Sequence, residues 1–210
     1  MDLDYITKNK IVLDDKIFRF IYIEAIKDAV SQLAYKGDKK WLKELDVLNS
    51  IKSEVEVLID KVLNNEYLSQ AEYDEDFLCI TINVCKCING KSENANFTFG
   101  NAQKLINIML KYFYITSYKK YSSKEKFRFC HCPMDKQLLK DIWSKREELD
   151  CCVNLGNYDY FLKSWGNEDF EIDENGKKGY PKRYILFQQA VHFFADKENI
   201  SSLEYDYYIW

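Results

Sequence analysis

Two side chains that could share a reaction lie 31 positions apart, the amine of Lys104 and the carboxylate of Asp135. Lys104 follows Gly100, and glycine suits a tight turn before a helix because it adopts positive φ at no steric cost. Asp135 ends the tripeptide Pro133-Met134-Asp135 and precedes a second helical pattern. An amine can act as a nucleophile, and a carboxylate can move protons or stabilise positive charge. Brought together at two helix starts, this pair would form a small catalytic constellation.

Each residue of the pair also has an ordinary structural interpretation. Lys104 could be a solvated lysine at a loop-to-helix junction. Asp135 is well placed to cap the following helix by accepting hydrogen bonds from its first N–H groups. The turn at Gly100 would leave backbone N–H groups pointing outward, which makes an anion site at the helix start.

The elements that must position the pair are predicted to be helices. Only 7 Gly and 2 Pro occur in 210 residues, and long runs have helical periodicity. After Lys104, apolar residues recur at helical spacing up to Tyr114. Further helices are predicted over 15–35, over 38–65 with an interruption near Asn49, and over 74–89, 135–150 and 182–198. The predicted fold is all-α.

Composition limits the class of protein. The N-terminal residues are charged, and no run approaches the roughly 20 apolar residues of a membrane span, so a soluble, cytoplasmic protein is expected. The 7 cysteines are interpreted as reduced thiols. Cys130-His131-Cys132 could join other cysteines in a metal site, but the spacing differs from zinc patterns, so we expect neither metal nor cofactor.

The charge is distributed unevenly along the chain. The net charge is −4, yet residues 100–148 carry 11 Lys and Arg against 5 Asp and Glu. Such asymmetry is compatible with one basic face on an acidic protein. The basic residues include a run interleaved with aromatic residues, which predicts DNA contacts by Lys119, Lys120, Lys124, Lys126 and Arg128.

The second half of the chain resembles the helix-hairpin-helix DNA glycosylases, and within them the 8-oxoguanine DNA glycosylase/AP lyase branch. Gly100-Asn101-Ala102-Gln103-Lys104 stands where that family has its hairpin, and Pro133-Met134-Asp135 stands where it has its catalytic aspartate. Two further segments are similar, Gln189-Ala190-Val191-His192-Phe193 and the C-terminal residues up to Trp210. Ala102 departs from the second hairpin glycine, and Gln137 stands where many relatives have a histidine.

The resemblance implies a fold and a reaction. It implies one domain over 1–210, with two small helical lobes flanking a cleft and a hairpin and catalytic core at about 97–148. A damaged base would be flipped into a pocket, where Lys104 would attack the sugar and Asp135 would stabilise the charge. Base contacts are expected from Gln189, Phe193 and Trp210. Backbone and phosphate contacts are expected from Phe99, Gly100, Ala102 and Gln137.

The sequence therefore predicts a monomeric base excision repair enzyme that acts on double-stranded DNA containing an oxidised purine. Ordinary alternatives remain for its base contacts: Gln189 could be a solvated helix residue, Phe193 a core residue and Trp210 an anchor for the terminus. The rival hypothesis is a non-catalytic helical module that binds nucleic acid or a protein partner. An enzyme requires Lys104 and Asp135 to converge on one cleft, whereas a binding module does not.

Overall fold

The computed structural model describes residues 15–30, 42, 44–91, 95–117, 125–149, 153–163 and 165–209. Helices dominate these ranges, which confirms the all-α prediction at the level of class. A two-residue antiparallel ladder pairs strand β1 (Glu171–Ile172) with β2 (Lys178–Gly179). The helices are α1 (Asp15–Val30), α2 (Leu45–Leu63), α3 (Gln70–Asn89), α4 (Phe99–Ser117), α5 (Lys136–Ser144), α6 (Tyr158–Leu162), α7 (Lys182–Lys197) and α8 (Ser202–Ile209).

Helix α4 is the centre of the fold. Every residue from Phe97 to Leu110 is buried, including the polar side chains of Asn101, Gln103 and Asn107. A helix that is buried on all sides must be surrounded by other elements. Helices α1 and α3 pack against it, as does the short 3₁₀ helix Trp165–Asn167, the Trp165 turn. The apolar residues around it form a single contiguous core.

Local sequence explains where several helices begin. Ser69 caps α3 by accepting from the Glu72 N–H, and Asp135 caps α5 as the sequence predicted. Ser201 and Glu204 form a reciprocal capping box at the start of α8, since each side chain accepts from the other residue's N–H. The predicted interruption near Asn49 is wrong, because α2 runs unbroken from Leu45 to Leu63.

An extended segment, residues 130–135, passes between α4 and α7 and is held by two glutamine side chains. The amide of Gln103 donates to the Met134 carbonyl at 3.0 Å and accepts from the Met134 N–H at 3.1 Å. The amide of Gln188 does the same for Cys132, at 2.7 and 3.1 Å. Each glutamine amide thus makes the two backbone hydrogen bonds that a neighbouring strand would make. The backbone groups of Cys132 and Met134 are therefore buried with their hydrogen bonds satisfied.

The described residues contain no helix that is both long and apolar enough to cross a bilayer.

Candidate functional site

Lys104 and Asp135 do not meet in the structure. Lys104 lies in the second turn of α4, is 7% exposed and places its ammonium 5.1 Å from the centre of the Trp165 ring. The Asp135 carboxylate accepts hydrogen bonds from the Gln137 and Leu138 N–H groups at 2.8 and 3.0 Å. Neither an ion pair nor a hydrogen bond joins the two side chains. The observed role of Asp135 is the N-cap.

Helix geometry explains the separation of the pair. The chain segments that carry them are adjacent, because Gln103 bonds to Met134. Consecutive helix residues do not share a face, however. When Gln103 faces the extended segment, Lys104 is directed elsewhere, toward Trp165.

The predicted hairpin is part of helix α4. Phe99, Gly100 and Ala102 are buried, and the Gly100 N–H donates to the Glu168 carbonyl at 2.9 Å. The Ala102 N–H donates to Thr98 at 3.0 Å. The prediction of outward N–H groups is therefore wrong at Gly100 and Ala102. Gly100 is instead a packing residue, because a Cβ there would lie 2.2 Å from the Trp165 carbonyl oxygen.

The other predicted contacts are scattered. Lys119, Lys120, Lys124 and Trp210 lie outside the described residues. Gln137 is exposed on α5, and Lys126 donates to the Leu63 carbonyl at 2.7 Å. Phe193 is partly buried against the core, with the Lys197 ammonium 4.5 Å from its ring centre.

Gln189 and Arg128 both line a pocket of about 750 Å³ among the described residues. The pocket is bounded by the start of α3, by residues 125–131, by the outer face of α7 and by residues 199–202. Neither Lys104 nor Asp135 lines it. The residues that carry its chemistry are Gln70, Asp74, Arg128, His131, Tyr180, Tyr184, Gln188 and Gln189.

A fixed carboxylate lies in the wall of this pocket. Asp74 Oδ1 accepts from Gln70 Nε2 at 2.7 Å and contacts His131 Nε2 at 2.9 Å. Burial raises the pKa of Asp74, but the hydrogen bonds and charge of His131 and the hydrogen bond of Gln70 outweigh it, so the pKa lies below its ordinary value. The carboxyl group is therefore ionised at neutral pH, and 39% of the side chain is exposed.

A chain of buried hydrogen bonds fixes the imidazole of His131. The Met134 N–H requires an acceptor, which sets the Gln103 oxygen toward it. The Asn107 Nδ2 group then faces both that oxygen, at 3.3 Å, and the Tyr184 hydroxyl, at 3.1 Å. The same Tyr184 hydroxyl lies 2.9 Å from His131 Nδ1. The imidazole is thus held between the Tyr184 hydroxyl at Nδ1 and the Asp74 carboxylate at Nε2.

Two aromatic rings form a further part of the wall. Tyr180 and Tyr184 are stacked, with ring centres 5.7 Å apart and an interplanar angle of 14°. Burial raises the pKa of both tyrosines, so their hydroxyls remain protonated at neutral pH. The Tyr180 hydroxyl donates to the Asp74 carbonyl at 2.5 Å, which ties the ring to the residue that carries the carboxylate.

The thiols of residues 130 and 132 have no reactive character. Both are buried, and burial raises the pKa of Cys130 and of Cys132 above the ordinary thiol value. A protonated thiol is neither a good nucleophile nor a metal ligand. Cys151 and Cys152 lie outside the described residues, and within the described ranges no cluster of His, Cys, Asp and Glu is arranged for a metal ion.

Comparison of the chain with protein families, with curated proteins and with solved structures finds no match.

Sequence reasoning missed Asp74, Tyr180 and Tyr184 as site residues and considered His131 only as a metal ligand. His131 and Asp74 are 57 positions apart and lie on different elements, so no local pattern joins them. The one local signal was His131 itself, a polar residue between two cysteines in a segment that is otherwise apolar.

Proposed function

We propose that the protein binds nucleic acid and holds one unpaired base in the pocket. The observation that carries the proposal is the position of Gln189 and Arg128. Gln189 was predicted to contact a base and Arg128 to contact DNA, from different parts of the sequence, and both side chains line the same cavity. A site that stacks and hydrogen-bonds one extruded base needs this combination of rings and polar groups.

Pocket side chains that make few contacts within the fold support base binding. Both amide atoms of Gln188 are bonded to Cys132, whereas Gln189 is exposed at the pocket. Tyr180 offers a flat ring for stacking. Arg128 is exposed and lines the pocket, and its guanidinium lies 4.6 Å from the centre of the Phe129 ring.

The charges indicate which part of a nucleotide would enter. Asp74, Glu125 and Asp196 line the pocket against the single arginine, so a phosphate would be repelled from the interior. An uncharged base would not. The sugar–phosphate backbone would remain outside the pocket.

Base excision by a helix-hairpin-helix type of enzyme is the second candidate. One observation favours it: Lys104 is almost buried and forms no ion pair with any described carboxylate. Such an amine differs from an ordinary solvated surface lysine. The separation of Lys104 from Asp135 and from the pocket means that excision would require a rearrangement, which binding does not.

The binding proposal is tested with labelled duplexes that contain one bulged base. An unpaired base costs less to extrude, so we expect the bulged duplex to bind more tightly than the paired one in fluorescence anisotropy. Arg128→Ala and Gln189→Ala should remove this preference. Lys163→Ala changes an exposed lysine away from the pocket and is the matched control. Equal affinity for bulged and paired duplexes would refute the proposal.

Excision is tested separately by borohydride trapping on a duplex that contains 8-oxoguanine. A covalent complex with the wild type that Lys104→Gln abolishes would support a lysine Schiff base. Trapping that survives the substitution would assign the nucleophile to another residue, and no trapping would leave the pocket as a binding site only.

A further inference from the structure

We propose that the pocket selects guanine, whose adjacent N1–H and N2–H groups donate to the carboxylate of Asp74. This inference rests on the proposed function and names the base that the same site prefers. It concerns the edge that guanine and 8-oxoguanine share, so the undamaged base is expected to bind as well.

The acceptor is directional and already in place. Both hydrogen bonds that hold the Asp74 side chain are made by Oδ1, and no described residue donates to Oδ2. A carboxylate oxygen accepts about two hydrogen bonds and donates none when ionised. A ligand that contacts Oδ2 must therefore direct N–H donors at it and have no acceptor atom facing the carboxylate.

Among the unmodified bases, guanine best meets this requirement. Its N1–H and exocyclic N2–H₂ are neighbours with no acceptor between them. Adenine and cytosine present a ring acceptor beside the amino group, and thymine flanks its single N–H with two carbonyl oxygens. An acceptor facing an ionised carboxylate is repelled and is left without a partner.

The remaining walls agree with a flat purine. Tyr180 and Tyr184 line the pocket, and their rings are nearly parallel to each other and to the ring of the core residue Phe77, with interplanar angles of 8° to 19°. A planar ligand on the partly exposed Tyr180 ring would continue this parallel arrangement. Arg128 also lines the pocket, and guanidinium groups pair well with the O6 and N7 acceptors on the other edge of guanine.

Charge limits the competing ligands. A cationic amine would also suit Asp74, but it would not need the parallel rings or the donors of Arg128. The same guanine ring could belong to a free nucleotide or to a nucleic acid, so both sources enter the test.

The experiment measures affinity for oligothymidylates that carry one central guanine, inosine, adenine or abasic site, together with free GMP and arginine amide. Inosine keeps N1–H and lacks the N2 amine, so it should bind about 10-fold more weakly than guanine, the loss expected for one hydrogen bond to a charged group. Adenine should bind no better than the abasic site. These comparisons use only the wild type and stand even where a variant fails to fold.

Asp74→Asn should remove the preference for guanine over inosine, because the Gln70 donor keeps the amide oxygen at the Oδ1 position and the amide nitrogen, a donor, then faces the N1–H and N2–H groups. Glu75→Gln is the matched control, an exposed carboxylate beside it on α3 that does not line the pocket. Equal affinity for guanine and adenine oligonucleotides would overturn guanine selection and leave base binding intact. If GMP binds and none of the oligonucleotides does, the guanine contact is kept and nucleic acid is refuted as its source. If only arginine amide binds, or if no probe binds, both base binding and guanine selection are overturned.

Discussion

Replacing Gly100 by alanine separates two explanations of this residue. The sequence suggests a glycine that lets DNA phosphate approach, whereas the structure shows a glycine that lets α4 approach the Trp165 turn. The added Cβ would lie 2.2 Å from the Trp165 carbonyl oxygen and 3.2 to 3.3 Å from two further backbone carbons. The neighbour is backbone and not a flexible side chain, so one of the two elements has to move.

The size of the effect follows from two opposing terms. Overpacking of a tight contact costs about 3 kcal/mol at the upper end of its usual range. Alanine in place of glycine returns at most about 1 kcal/mol, the value for a helix interior. The net loss of about 2 kcal/mol corresponds to a Tm lower by about 4–8 °C for a chain of this size.

Thermal and urea unfolding measure this loss, and Gly166→Ala is the matched control. Gly166 lies in the same contact region, but a Cβ there would meet nothing within 4 Å. We expect its stability to stay within about 0.5 kcal/mol of the wild type. A Gly100→Ala protein as stable as Gly166→Ala would refute the packing explanation, and a selective loss of DNA affinity would restore the phosphate role.

Three further predictions test other parts of the structure. Asp135→Ala should cost about 1 kcal/mol of stability in urea unfolding, whereas Asp135→Ser should retain most of it, because serine also caps helices. Gln103→Ala should cost about 3 kcal/mol, since it leaves two buried groups of Met134 unpaired, whereas exposed Gln137→Ala should be neutral in the same assay. The lowered pKa of Asp74 stabilises the fold at pH values above the ordinary carboxyl pKa. The difference in unfolding free energy between the wild type and Asp74→Asn, measured in urea, should therefore shrink as the pH falls through the pKa of Asp74 in the folded state. A difference that stays constant with pH would contradict this linkage.

The parts of the fold that local sequence determines could be predicted. Helix α7 was expected over 182–198 and runs from Lys182 to Lys197, because its buried residues recur at helical spacing. The apolar run from 74 to 89 was long enough to favour a helix over a strand, and it forms most of α3. The N-cap role of Asp135 follows from residue type and position alone. The capping box at Ser201 and Glu204 also has its pattern in the sequence, a serine followed by a glutamate three positions later.

The parts that depend on distant contacts could not be predicted. Glycine favours turns locally, so Gly100 suggested a turn. Its real constraint is a carbonyl 65 positions away at Trp165, which no local pattern contains. The lysine-and-aspartate hypothesis assumed that two helix starts converge, but direction on a helix changes by about 100° per residue. A shift of one position, from Lys104 to Gln103, decides which side chain faces the segment before Asp135.

The same chain of hydrogen bonds that supports the interior also determines how the pocket binds. From Met134 to Asp74 the links pass through the buried side chains of Gln103, Asn107, Tyr184 and His131. Flipping the Asn107 amide would bring its Oδ1 against Gln103 Oε1, and two acceptors cannot form a hydrogen bond. The flipped orientation of Asn107 is therefore excluded. A carboxylate held in this way loses little further freedom when a ligand arrives, so less of the interaction energy is spent on ordering the site. The affinity of the pocket should therefore depend on the buried Asn107 and Tyr184 as well as on the side chains that a ligand touches.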